Sequence, residues 1–277
     1  MIWQHATKKN PCPICGREDW CSFGERMMLC QRVESARPHS KGGWFHGYPG
    51  SDGNFKVTKF IPPTRSAPQV LDAESVMDSV SGAGDIKSLS ESLGVSMDSL
   101  DALAVGYSHA HKAWAFPMSD GDGKYIGIRL RNKDGQKWAV TGSRQGVFLP
   151  KSNFKVTPKV CYLPEGPTDT AALLSMGLFS IGRPTCMSGN ELVAQALKRL
   201  KIYKAVIISD NDGLKQFANK ESRPGIIGAK KLKKELGINS VIWMPPAPIK
   251  DVREFYKRGG TAQQIENEIK SKVWSKI

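Results

Sequence analysis

The chain sets carboxylates at two places where a short apolar run ends. Residues 160–163 lead through Pro164 into Glu165, Gly166, Pro167 and, one turn on, Asp169; residues 205–209, AVIIS, run directly into Asp210, Asn211 and Asp212. Runs this short and apolar, separated by stretches of helical length, read as strands buried on both faces of a parallel sheet, and ligands of open α/β sheets gather beyond the carboxyl ends of such strands. Glu165, Asp169, Asp210 and Asp212 are therefore expected at one edge. Packed there they repel and raise one another's pKa unless a cation lies among them, and hard oxygen donors select Mg2+ or Mn2+ over softer metals. Each motif alone also fits a plainer role, as acids at a helix N-terminus or as a DNDG turn. The two in order, each directly after an apolar strand, favour a divalent-cation site.

A second ligand set lies near the N-terminus. Four of the six cysteines, Cys12, Cys15, Cys21 and Cys30, fall between positions 12 and 30. Cys12-x2-Cys15-Gly16 is a knuckle that turns thiolates toward a tetrahedral ion, and Cys30 returns after a hairpin of suitable length, which suits zinc. Position 33, where a second CxxC would close, is Val33, so the fourth ligand is either Cys21 or a histidine. An extended strand from Cys15 would carry Cys21 away from the knuckle. His46, behind the Gly42-Gly43 turn, can come back, so the spacing favours His46, with Cys21 the alternative. His39, His109 and His111 read as surface or packing residues.

The third group is basic. Lys and Arg number 40 against 26 acids, a formal net charge of +14, and within 124–159 nine basic residues accompany one acid. Such an excess points to a polyanion, nucleic acid first. Arg129 and Arg131, two apart on a strand, project to one face at a spacing suited to a phosphate backbone or a nucleoside triphosphate. Lys137 joins them, and Gly142, Arg144 and Gly146 make a polar return beside them. Lys124, Lys133 and Lys151 read as ordinary surface charges.

The elements that must position these groups follow from periodicity. Residues 72–101 hold seven acids and one lysine, with Leu89, Leu93, Met97, Leu100 and Leu103 at helical spacing around Gly94, and fit two short helices. Residues 113–149 switch to period two, with turns at 120–123 and 133–135, an antiparallel meander. After Pro158, apolar runs at 160–163, 178–181, 205–208 and 240–243 alternate with helix-length stretches at 168–177, 190–201 and 225–236, the order of βαβ units. FIPPTRSAPQ, with three prolines, reads as a linker. The expected organisation is an α/β protein with α+β flanks: a zinc-ribbon module at 1–50, a linker at 51–69, a basic antiparallel-sheet subdomain at 70–157, a parallel-sheet domain at 158–258 and a C-terminal helix at 259–277. The opening MIWQHATKKNPCP has no apolar leader stretch and no run approaches the ~20 apolar residues of a membrane span, so a cytoplasmic protein with no membrane partner is expected.

Glu165-Gly166 with Asp169, followed by Asp210-Asn211-Asp212, resembles the Toprim domain shared by bacterial-type primases, topoisomerases and certain nucleases. PIKDVREFYKRGG (248–260) is similar to the primase stretch that sets a third acid, here Asp251, beside the metals, although Arg253 stands where many such primases carry Asn. The 115–150 segment resembles the basic subdomain of the bacterial-type primase core, and the cysteine module resembles the zinc ribbon of bacterial and phage primases. The order of the three, across nearly the whole chain, resembles a compact bacterial or bacteriophage-type (DnaG-like) primase. That resemblance implies structural Zn2+, catalytic Mg2+ or Mn2+ on Glu165, Asp210, Asp212 and Asp251, nucleoside triphosphate substrates, a single-stranded DNA template and short RNA primers as product. It also implies an acid/base role for Glu165 and a separate replicative helicase as partner. A Toprim-type nuclease would share the acids, and a non-catalytic replication factor would use the zinc and basic surfaces alone.

Overall fold

A computed structural model describes residues 3–24, 27–39, 42–47, 71–80, 85–151, 158–212, 215–217 and 220–273. The chain folds as two compact units, Met1–Gln69 and Val70–Ile277. The expected linker at 51–69 lies outside the described residues.

The N-terminal unit is a four-stranded antiparallel sheet, β1 (Gln4–His5), β2 (Ser22–Phe23), β3 (Met27–Cys30) and β4 (Trp44–Gly47), in sequence order. Its small core is Ala6, Phe23 and Met28 together with Cys12, Cys21 and Cys30. A core this small does not hold a module alone, which is the ordinary reason for a structural metal in such a unit.

The C-terminal unit begins with three helices where two were expected: α1 (Ala73–Val80), α2 (Ile86–Leu93) and α3 (Met97–Ala102). Three caps make the divisions, Asp85 opening α2 and Gly94 with Ser96 separating α2 from α3. Asp85 accepts the N–H groups of Lys87 and Ser88, Gly94 ends α2 in the left-handed region at φ 67°, and Ser96 restarts the chain by accepting the N–H of Ser99. The meander follows as β5 (Gly106–Ser108), β6 (Ala113–Ser119), β7 (Tyr125–Arg131) and β8 (Lys137–Ala139), antiparallel in that order. Alternation sorts its side chains. Ala113, Ala115, Ile128 and Leu130 pack on α1, while Phe116 and Met118 face the cluster holding Leu89, Leu93, Leu100, Ala171 and Ala172. Arg129 is the cross-strand partner of Phe116 and Arg131 of Trp114, so both arginines share that second face.

The remaining elements are β9 (Cys161–Leu163), α4 (Gly166–Ser175), α5 (Asn190–Arg199), β10 (Lys204–Ile208), β11 (Lys215–Phe217), β12 (Lys220–Ser222), α6 (Pro224–Leu236), β13 (Asn239–Trp243), α7 (Val252–Lys257) and α8 (Ala262–Val273). β9, β10 and β13 form a parallel sheet with β10 in the centre. Ala205 and Ile207 go to one face, with Val193, Leu197, Ala229 and Leu232 of α5 and α6. Val206 and Ile208 go to the other, with Trp243, Val252, Phe255 and Ile265. Burial on both faces is why these strands read as unbroken apolar runs. The 178–181 run forms no named strand: Ser180 bridges Tyr162, and just after the run Gly182 bridges Phe148 and Arg183 bridges Glu165. The residues between Asp212 and α6 carry the β11–β12 hairpin.

Candidate active site and metal centre

The acids meet at the carboxyl edge of the parallel sheet. After β9 the chain turns sharply into α4: Gly166 takes φ 75°, open to glycine at little cost, and Pro167 presets the first turn. Glu165 is the N-cap residue of α4, yet its carboxylate makes no capping hydrogen bond. Asp169, one turn on, is buried and accepts the backbone N–H of Arg253 at 3.0 Å. From β10, Asp210 and Asp212 arrive with Asn211 between them. Asn211 donates its N–H to Lys250 O at 2.7 Å and its side-chain amide to Ile249 O at 3.2 Å, tying the DND loop to the segment that carries Asp251. Asp251 caps α7 by accepting the N–H of Glu254 at 2.7 Å. A continuous set of hydrogen bonds thus runs from the DND loop through 249–253 to Asp169.

Electrostatics mark these carboxylates as crowded. Burial, then Asp251 and Asp210, push Asp169 up to about 8 against the opposing N–H of Arg253. Burial, then Glu165, Asp251 and Asp212, push Asp210 up to about 7. Buried acids that raise one another are the donor set a hard dication fits, since a cation of charge two relieves both the repulsion and the desolvation. The oxygens are less closely gathered than the four cysteine thiols of the N-terminal unit, and the meander lies beside them.

There the basic groups stand. Burial lowers Arg129, with Glu165 pulling the other way. Burial and then Arg253 lower Arg131. Lys137 lies directly across the strand pair from Arg131, and it is lowered by desolvation and by Arg131, Arg253 and Arg129, with Asp169 opposing. Like charges set opposite on a ladder are unfavourable unless an anion bridges them. Arg144, in contrast, is exposed and held through its N–H to Ile126 O at 2.9 Å.

Two further cations stand here, Arg253, assigned no role from the sequence, and Arg183, left unmarked by it. Arg253 donates through Nη1 to Leu93 O at 3.3 Å, and its backbone holds Asp169. Arg183 is 1% exposed, and it donates to Cys186 O and Ile208 O, each at 3.1 Å. The available signal for Arg183 was its place directly after the apolar 178–182 run, at the same sheet edge as the acids.

The N-terminal unit gathers Cys12, Cys15, Cys21 and Cys30, whose sulfurs all lie within 4.8 Å of one another. This corrects the expectation of His46 as fourth ligand. His46 pairs across the strands with Met28, and its Nε2 lies 2.9 Å from Val33 O. Cys21 returns because residues 16–20 form a loop, not a strand. Gly16 and Trp20 take φ 67° and 64°, and the Ser22–Leu29 register then sets Cys21 opposite Cys30.

The thiols are free, with 3.6 Å between Cys15 and Cys21 and 4.0 Å between Cys21 and Cys30. Zinc–thiolate bonds in a tetrahedron set sulfurs about 3.8 Å apart, so the spacing fits that ion. Gln31 N–H reaches Cys21 Sγ at 3.5 Å, and the N–H groups of Arg32 and Val33 reach Cys30 Sγ at 3.4 Å. Arg32 also lies 3.7 Å from Cys21 Sγ and pairs with Asp19 at 2.7 Å, a cation beside what would be a doubly negative complex. Burial pushes Cys21 up to about 11, so metal loading must displace its proton.

Solved structures share the fold of this chain. A DnaG catalytic core matches with TM-score 0.54 at 14% identity, over 72% of this chain and 78% of its own. The E. coli primase catalytic core gives 0.53 at 13%, over 72% and 78%. The zinc-binding and RNA polymerase domains of the Aquifex aeolicus primase give 0.53 at 17%, over 72% and 59%. No protein-family model and no curated protein matches the sequence. The likeness establishes a DnaG-type core fold.

Proposed function

We propose that the chain is a DNA primase, joining nucleotides into short RNA primers on single-stranded DNA. One observation carries the reading. In a DnaG-type core, five acids from four segments meet at a sheet edge whose facing wall is Arg129, Arg131 and Lys137. A nuclease needs the acids, but a wall of cations that repel one another suits a ligand rich in phosphate. Glu165, Asp210, Asp212 and Asp251 would hold divalent ions, which would supply Lewis-acid activation of a hydroxyl and charge neutralisation on phosphate. Arg129 and Arg131 hold the triphosphate or template backbone, Lys137 adds a mobile point charge, and Arg144 lies farther out. Glu165, not spent on capping, is the group available to take the hydroxyl proton. Asp169, held by Arg253 N–H, ties α4 to the start of α7.

Zinc on Cys12, Cys15, Cys21 and Cys30 holds the N-terminal unit, whose role is template reading at initiation. Related primase structures include a catalytic domain bound to ssDNA. A separate replicative helicase fits as partner, and among the described residues no helix is long and apolar enough to cross a membrane.

The test is incubation of the purified protein with single-stranded DNA, labelled ribonucleotides and Mg2+ or Mn2+. Short, template-dependent, metal-dependent products are expected. Template degradation in their place would establish the nuclease, and DNA binding with neither reaction would establish the non-catalytic factor.

A further inference from the structure

Arg183 lies at the junction of the two acid-bearing strand ends and belongs to neither. Its backbone is stitched to the first. Arg183 N–H donates to Pro164 O at 2.9 Å, and Gly166 N–H donates to Arg183 O at 2.8 Å, so the peptide groups flanking Glu165 are both fixed by this residue. Its side chain is stitched to the second, with Nη2 donating to Ile208 O at 3.1 Å, two residues before Asp210. Nη1 donates to Cys186 O at 3.1 Å, closing the loop that carries Arg183 itself.

The choice of an arginine for this is costly. The guanidinium is buried to 1% exposure, its hydrogen-bond acceptors are neutral carbonyls, and its Nε has no partner among the described residues. A buried cation so poorly paired is unfavourable unless nearby anions hold it. Glu165 and Asp210, which act on it from the cleft, are those anions. A neutral amide could satisfy one carbonyl without that cost. Only a planar fork reaches two carbonyls on separate segments while its own backbone grips a third.

We infer that Arg183 is a positioning residue of the cleft, bracing the Glu165 turn against the end of the Asp210 strand so that the acids keep the separation two divalent ions require. The inference rests on the metal-dependent reading above. Asn211 braces the other side of the same loop through Ile249 and Lys250, so Arg183 completes a bracket around Asp210 and Asp212.

The experiment uses the full chain with Arg183→Lys, Arg183→Met and Arg183→Gln, assayed by extension of a pre-annealed primer in Mg2+ and in Mn2+. Loss of an outer-shell partner costs about 10- to 100-fold in activity. That loss is expected in kcat with Mg2+, with KM for the nucleotide unchanged. Lys should fall as far as Met, because an ammonium keeps the charge and loses the fork. Mg2+ demands near-ideal octahedral geometry, so the more tolerant Mn2+ should recover most of the loss. A residue of merely structural importance would lower kcat equally with both metals. That result overturns the inference, as do wild-type activity in the Lys variant, a rise in KM at constant kcat, or unfolding of all three variants including the mild Gln. A wild-type chain inactive with either metal refutes the primase reading and takes the inference with it. Active wild type with indistinguishable variants overturns Arg183 alone.

Discussion

The two ligand clusters of this molecule solve the same problem differently. In the N-terminal unit four thiols close to within 4.8 Å, three of them buried, Cys12 and Cys15 from the knuckle, Cys21 from just before β2 and Cys30 from the end of β3. At the sheet edge of the C-terminal unit the acids come from the turn after β9, from α4, from the loop after β10 and from the start of α7, less closely gathered than the thiols and tied by hydrogen bonds through Arg183, Asn211 and Arg253. A closed set of soft donors is what a structural ion needs, while a hard, open set leaves room for substrate. One cluster is there to make a fold possible; the other is made by a fold that stands without it.

That contrast is broken most severely at the acids. Asp210→Ala or Asp212→Ala should reduce nucleotide incorporation by about 10²- to 10³-fold or more, the scale of losing a preorganised charge-stabilising group, while zinc content and single-stranded DNA binding stay near wild type. Incorporation assays beside metal analysis check it, and full activity in either variant would refute the cleft as a metal site.

Breaking the thiols should do the reverse. Cys12→Ser, Cys21→Ser or Cys30→Ser should abolish initiation on single-stranded DNA and leave extension of a pre-annealed primer largely intact, because the acids and the basic wall lie in the C-terminal unit. His46→Ala should keep its zinc. De novo initiation holds a template and two free nucleotides with no duplex to add stacking, so an extra template surface matters most there. Trp20, 76% exposed in the cysteine loop, offers such a stacking face. Equal loss of initiation and extension would reduce the unit to a stability module.

A smaller effect is expected at the basic wall. Arg129→Ala with Arg131→Ala should weaken template or nucleotide binding and flatten its salt dependence by about 0.7 in log–log slope for each phosphate of a single strand that is no longer neutralised. Binding isotherms across a salt series measure this, and an unchanged slope would leave these arginines as decoration of the sheet.

The smallest effect concerns stability. Asp210 and Asp169 titrate near 7 and 8 in the folded chain, above their ordinary value, so the native state binds more protons than the unfolded one between pH 4 and 8. Their contribution to metal-free stability therefore falls as pH rises through that window. Asp210→Asn should raise the melting temperature at pH 8 in Mg2+-free buffer, by about 2–4 °C for each kcal/mol of repulsion relieved, and little at pH 5. Thermal melts at the two pH values decide it; a lower melting temperature at pH 8 would show the acid to be stabilised as it stands.

The order of residues alone announces where chemistry is offered. Glu165, Asp169, Asp210 and Asp212 are legible because a strand buried on both faces must be apolar throughout, so the first polar residues after it mark the sheet edge. Arg129 and Arg131 are legible because strand alternation sends them to one side, and Cys12 and Cys15 because a knuckle is local. Which groups complete those sites was left to the folded chain. Cys21 and not His46 joins the thiols because two residues with positive φ turn the 16–20 loop back onto β3, a conformation that spacing alone does not reveal at Trp20. The split of 72–101 into three helices turned on side-chain caps at Asp85 and Ser96, which act only once the backbone is placed. Arg183 and Arg253 matter through bonds to carbonyls far along the chain, Ile208 and Leu93. A backbone carbonyl carries no side-chain identity, so its partner leaves no mark in the order of residues until the fold brings the two together.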